Sequence, residues 1–196
     1  MKTVLETERL ILRGWEDEDA ASLFKYASDR EVGPAAGWLP HRDEGYSRAV
    51  IRTIFAKDEV YAICLKDYDE EPIGSIGLTL EGSPERPLDR GCAELGFWVG
   101  RPFWGQGIAP EAVREMIRHG FEDLKLKKIY CGYFNGNNKS KRVQAKCGFK
   151  YHHTNTMCRV IMLGETKVEH INVITDVDYW TQKSHKFYTG KVLQNL

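Results

Sequence analysis

The residues best suited to chemistry lie in one run, from Ala93-Glu94-Leu95-Gly96-Phe97-Trp98-Val99-Gly100 through Arg101-Pro102-Phe103-Trp104 to Gly105-Gln106-Gly107-Ile108-Ala109-Pro110-Glu111-Ala112. It reads as a strand, a glycine loop and a helix start. Gly105 and Gly107 let the backbone bend tightly and approach a ligand, while a helix start offers unpaired N–H groups and a positive dipole end to an anion. A pyrophosphate suits such a turn, although G-x-G alone also describes an ordinary strand-to-helix connection. The dinucleotide pattern asks for a third glycine where Pro110 stands, and the P-loop asks for Gly-Lys-Ser/Thr, which is missing. Glu94 shares a strand face with Gly96 and Trp98 by period-two geometry, so it can serve as a base, directly or through water. Pairing with an arginine or capping a backbone group is the alternative role.

A second run, Asn137-Asn138-Lys139-Ser140-Lys141-Arg142-Val143-Gln144-Ala145-Lys146-Cys147-Gly148-Phe149, opens a short helix. Ser140 lies near its start, where serine caps well without any catalysis. Asn137 suits an Asn turn or a contact to a ligand. Lys139, Lys141, Arg142 and Lys146 form a basic cluster, which is either a solvated face or a source of affinity for phosphates.

Together these motifs resemble the GNAT superfamily of N-acetyltransferases, in particular its RimJ/RimL-like branch. The resemblance rests on Val99, Phe103-Trp104 and Gly105-Gln106-Gly107-Ile108-Ala109, then on Asn137, Ser140, Lys146 and Gly148-Phe149 in the right order. The opening, Leu5 to Arg13, and Gly37-Trp38-Leu39-Pro40-His41 match as well, so that it covers roughly residues 4 to 175. It implies acetyl transfer from acetyl-CoA to a primary amine, either a protein N-terminal α-amine or a small molecule, by direct attack in a ternary complex. Phe97, Trp98, Val99, Trp104 to Ala109, Asn137, Ser140 and Lys146 are then the coenzyme-binding residues. Backbone groups of Phe97 to Val99 are expected free to pair with pantetheine as an added strand, with the Val99 N–H as oxyanion donor. Glu94 and Ser140 become the catalytic pair, base and thiolate partner; Trp38, His41 and Trp98 line an acceptor groove. Two departures stand out: Trp104 replaces the usual Gln or Arg, and Gln144 stands where the superfamily often has a tyrosine acid. The second departure keeps a non-catalytic acyl-CoA-binding sensor or assembly module open as an alternative.

The fold implied is α/β (α+β), a mixed, mostly antiparallel sheet with a splayed parallel pair at the coenzyme site and flanking helices. From the residues themselves, strands are expected over 9–13, 60–65, 73–80, 92–99 and 129–134, with two more between 150 and 175 around Gly164. Helices are expected from Glu16–Asp19 onward with Ala20, Leu23, Phe24 and Ala27 inward, over 44–56, from Pro110 with Val113, Met116, Ile117, Gly120, Phe121 and Leu124 as its buried stripe, and over 138–147. A loop is expected at 81–87. A single domain is expected over 1–196, with a motif-bearing core of about 4–175 and an extension of 176–196 that matches none of the motifs.

Lys plus Arg and Asp plus Glu each total 28, so no net charge argues for nucleic acid or a membrane surface as partner. The five cysteines lack C-x-x-C spacing and read as reduced core thiols, not a disulfide framework or zinc site. No secretory signal or apolar span is read, which points to the cytoplasm. His152 and His153 are expected on opposite strand faces, and no metal is expected. Late edge strands can pair two copies, so homodimer and monomer both stay open.

Overall fold

The protein is described by a computed structural model covering residues 3–83 and 86–193, with side chains to residue 184. Residues 1–2, 84–85 and 194–196, parts of the expected domain, 81–87 loop and C-terminal extension, lie outside the described residues.

Among the described residues ten strands form: β1 (Leu5–Glu6), β2 (Leu10–Arg13), β3 (Val60–Leu65), β4 (Pro72–Leu80), β5 (Gly82–Ser83), β6 (Arg86–Pro87), β7 (Cys92–Val99), β8 (Lys128–Phe134), β9 (Lys150–Val160) and β10 (Glu165–Thr175). The helices are α1 (Ala20–Ala27), α2 (Gly33–Ala36), α3 (Glu44–Thr53), α4 (Ile108–Arg118), α5 (Asn138–Lys146) and α6 (Asp176–Leu193). Eight strands make one sheet in the order β1-β2-β3-β4-β7-β8-β10-β9, antiparallel except between β7 and β8; β5 and β6 form a separate small ribbon.

Most sequence expectations match these bounds. The helix read as 44–56 stops at Thr53, and in α1 it is Tyr26, not Phe24, that is buried with Ala20, Leu23 and Ala27. β1, α2 and α6 were not legible, and neither was the β5–β6 ribbon, which forms within the 81–87 stretch read as a loop: all but α6 are very short, and α6 has only a weak apolar stripe. Past Arg118 the α4 axis continues through a π-turn over His119–Asp123, which keeps Gly120 and Phe121 inward.

β3 and β4 are buried at consecutive residues, as expected of strands covered on both faces. Ile76, Leu78 and Leu95 pack with Val113, Met116 and Ile117 of α4 in one cluster. A second cluster joins Ala20, Leu23 and Ala27 of α1 to Val50 and Ile51 of α3, with Trp38 and Trp98 against it. β7, carrying Glu94, is thus clamped by packing, which holds its side chains in fixed directions. Among the described residues no helix is long and apolar enough to cross a membrane.

Candidate active site

Parallel pairing of β7 with β8 is confined to Cys92–Lys128, Ala93–Ile129 and Glu94–Tyr130. Beyond Glu94 the strands part, as the resemblance implied. A cleft of about 1440 Å³ is lined by the second half of β7, the glycine loop, β8 and the start of α5. Glu94, Phe97, Trp98, Val99, Trp104, Gly105, Gly107, Ile108, Ala109, Asn137, Ser140 and Lys146 all reach it, as do Trp38 and His41.

Gly105 and Gly107 both sit at φ +79°, the left-handed region in which a Cβ is strained. Gly107 is the N-cap of α4 and no side chain caps that end. A Cβ at Gly105 would meet no atom within 4 Å, so the loop has open space beside it. Uncapped helix amides, a permissive loop and an adjoining cleft fit a pyrophosphate. Glu111, an acid in the first turn of α4, ties this helix start to the N-terminal segment. It accepts from the Thr7 hydroxyl at 2.6 Å, the Arg9 amide at 3.0 Å and Arg9 Nε at 2.7 Å. Arg9 Nη1 in turn donates to the Gln106 carbonyl at 3.0 Å, fastening the loop from behind. The Gln106 carboxamide folds back to the Pro102 carbonyl at 2.9 Å, and Gln106 is the one expected coenzyme contact absent from the cleft lining.

Trp104 adds a contact to this stretch. Its indole N–H donates to the Val99 carbonyl at 2.7 Å and takes one of the two acceptor positions of that oxygen. An indole five residues downstream is long enough to fold back across the turn, which a sequence pattern does not reveal. Lys139 Nζ lies 3.4 Å from the Trp104 ring centroid, a cation–π contact that brings α5 over the loop. Behind the loop, Arg9, Arg114 and Lys146 line a smaller cavity of about 410 Å³ together with Glu8 and Glu111, and it shares Gly107, Pro110 and Lys146 with the cleft. Arg9 and Arg114 lie far from the Lys139–Lys146 cluster in sequence, and only the fold brings them to Lys146.

Glu94 is partnered. Arg86 on β6 donates Nη1 to Glu94 Oε1 at 2.7 Å and Nη2 to Glu169 Oε2, so one guanidinium joins two carboxylates. Burial lifts the Glu94 carboxyl above its ordinary value, and the like charge of Glu169 adds to this; Arg86 acts against both. Glu169, buried on β10, was missed by the sequence reading. It lies in an unremarkable strand, and its room comes from Gly132, where a Cβ would run into its carboxylate.

Asn137, not Ser140, caps α5: its Oδ1 accepts from the Ser140 amide at 3.1 Å, and its Nδ2 donates to the Ala35 carbonyl at 3.2 Å. Ser140 therefore sits in the first turn with its hydroxyl beside Gln144. The fully buried Gln144 donates Nε2 to Ser140 Oγ and to the Gly132 carbonyl, both at 3.1 Å, and its Oε1 accepts from Asn172 Nδ2 at 2.8 Å.

Residues 9–150 match the family model described as "Acetyltransferase (GNAT) domain". The chain belongs to the GNAT acetyltransferase family. It is 37% identical over 130 residues to the N-acetyltransferase p20 of Bacillus licheniformis, covering 64% of this chain and 70% of that one. It is also 27% identical over 159 residues to the [Ribosomal protein uS5]-alanine N-acetyltransferase of Escherichia coli, covering 76% and 79%, which agrees with the RimJ/RimL-like resemblance. The crystal structure of a GNAT-family acetyltransferase from Bacillus anthracis superposes with a TM-score of 0.77 at 21% identity, covering 89% of this chain and 99% of that one.

Elsewhere in this GNAT domain the expected acceptor residues come together. The Trp38 ring lies 5.3 Å from His41 and 5.8 Å from Trp98, and Tyr46 stands 4.9 Å from His41. His41 is buried with Nδ1 2.8 Å from Ser47 Oγ, and burial pushes its pKa down to about 4, so it is neutral at pH 7. Aromatic rings and a neutral imidazole therefore form this wall. Burial raises the thiols of Cys64, to about 12, and Cys147, to about 11, and holds that of Cys131 well above its ordinary value. Thiols so held stay protonated and are poor nucleophiles.

His152 and His153 depart from their expected placement. Their Nδ1 atoms are 2.7 Å apart, because β9 is bulged: Ile171 pairs with His153 but Asn172 pairs with Tyr151, leaving His152 as the extra residue. Among the described residues no group of three metal-ligating side chains is arranged around a common point.

Proposed function

We propose that this acetyltransferase moves acetyl from acetyl-CoA to a primary amine by direct attack in a ternary complex. Acetyl-CoA supplies the activated thioester. The reading is carried by one observation: Glu94 on β7 and Ser140 on α5 border the same cleft as Val99 and the Gly105–Ala109 loop. The loop amides and α4 N-terminus hold the pyrophosphate, with Lys139, Arg142 and Lys146 adding charge. The Val99 N–H serves as oxyanion donor, a role typically worth about 2.7–4 kcal/mol of transition-state stabilisation. Glu94 receives the surplus proton of the attacking amine, its carboxyl raised toward the range a general base needs. Ser140 partners the departing sulfur.

For the acceptor we favour a protein N-terminal α-amine over a small-molecule amine. An α-amine titrates near pH ~7.7–8.0 and is partly neutral in the cell, whereas a lysine-like amine near ~10.4 must first lose a proton. The Escherichia coli relative, an N-acetyltransferase of alanine in ribosomal protein uS5, supports the same choice. Five free cysteines suit a cytoplasmic setting. Direct attack is tested by incubating the protein with acetyl-CoA alone and measuring its intact mass. The expected result is unmodified protein; a stoichiometric acetyl group on a cysteine, passed on when acceptor is added, contradicts direct transfer.

A further inference from the structure

Gln144 stands where the resemblance offered a tyrosine acid, and an amide has no acidic proton to give. Its hydrogen bonds nevertheless decide what Ser140 can do. The Gly132 carbonyl can only accept, so the nitrogen of the Gln144 amide must face it. That nitrogen carries a second hydrogen, directed at Ser140 Oγ at 3.1 Å. The amide oxygen is turned to the opposite side, where Asn172 Nδ2 donates to it at 2.8 Å. Both hydrogens and the oxygen are thereby engaged in a site with no solvent exposure, and the amide has no freedom to flip. Ser140 Oγ thus accepts from Gln144, which leaves its own hydrogen to point elsewhere, and the residue borders the cleft.

We propose that Gln144 is a positioning residue that holds Ser140 as a hydrogen-bond donor toward the departing sulfur; this rests on the transfer reading above. As the amine nitrogen bonds to the acetyl carbon, the carbon–sulfur bond breaks and its electron pair stays on sulfur. The amine's surplus proton goes to Glu94. Ser140 needs only to donate a hydrogen bond to the developing thiolate, and Gln144 ensures that its hydrogen is available. The parted strands contribute too, since the parallel ladder stops at Tyr130 and the Gly132 carbonyl two residues on orients the amide.

The test is a double-mutant cycle on single-turnover transfer, using whichever of an alanine-initiated peptide, a polyamine and an aminoglycoside releases thiol fastest. Wild type, Ser140→Ala, Gln144→Met and the double variant are compared, with acetyl-CoA Kd and melting temperature measured for each. Gln144→Met is expected to slow transfer by about 10-fold without changing Kd, as for loss of a hydrogen bond to a charged group, and to add nothing once Ser140→Ala is present. Equal slowing in both backgrounds makes Gln144 a packing residue and overturns the inference while leaving Ser140 its role. An unaffected rate in Ser140→Ala overturns the role of Ser140 and the inference with it. Absence of thiol release with all three acceptors overturns the transfer reading itself. Should Gln144→Met not fold, Gln144→Glu serves, because a carboxylate cannot donate and turns the serine hydrogen inward. The same slowing is expected above the titration of that carboxyl, and a wild-type rate there overturns the inference.

Discussion

Glu94 carries the most specific expectation at the residue scale. Replacing it with Gln should lower kcat at neutral pH by about 10²–10⁴ while the protein still binds acetyl-CoA; unchanged turnover in the folded variant removes it from the mechanism. The base must be deprotonated, so activity falls as pH falls through its pKa. Burial and Glu169 raise that pKa and Arg86 restrains it. Arg86→Ala should therefore move the acidic limb of kcat/KM to higher pH, and a limb that stays in place argues that Arg86 does not face the working form of Glu94. His41 makes a separate prediction about stability. Its folded pKa, about 4, lies below the unfolded value of 6.5, so its contribution is complete above pH 6.5 and is lost as pH falls toward 4. The melting temperature should drop across that window, and His41→Gln should flatten the drop. Glu94 itself was legible from strand periodicity, but Arg86 and Glu169 were not. Which arginine reaches a given carboxylate depends on where the β5–β6 ribbon and β10 lie, and local patterns are silent about that.

At the scale of elements, the N-terminal segment braces the loop and the start of α4, the place proposed to hold the pyrophosphate. The glycines, the helix start and the basic start of α5 were all readable, because each is a local requirement of backbone or charge. The brace of Arg9 and Glu111 spans 102 residues and is a product of folding. Acetyl-CoA affinity should weaken as salt rises from low to physiological ionic strength, since Lys139, Arg142 and Lys146 lie beside the expected phosphates. A salt-independent Kd assigns these residues to a solvated face. Arg9→Ala should loosen the loop and raise the acetyl-CoA Kd more than it changes kcat, a split read directly from steady-state kinetics. The β9 bulge illustrates the limit of pattern reading, because a period-two strand places adjacent histidines on opposite faces and one inserted residue cancels that.

Over the whole molecule, the mixed, mostly antiparallel sheet and the parted β7–β8 pair followed from the resemblance, and most strand bounds from the residue pattern, whereas the strand order did not. The C-terminal helix did not, since its pattern gives no strong apolar face. In the structure, Tyr179 packs 5.3 Å from Phe121 and hydrogen-bonds Glu122, so α6 is docked against the end of the α4 unit. Tyr179→Ala should lower unfolding free energy by about 1–3 kcal/mol with little effect on acetyl-CoA affinity, checked by denaturant melts. The central claim concerns the cleft as a working site. It is tested most directly by following thiol release from acetyl-CoA with N-terminal peptides, polyamines and aminoglycosides, with Glu94→Gln and Gly107→Trp as controls. The expected result is release with one acceptor class, strongly reduced in Glu94→Gln and abolished together with acetyl-CoA binding in Gly107→Trp. Release that persists unchanged in both variants would contradict the account.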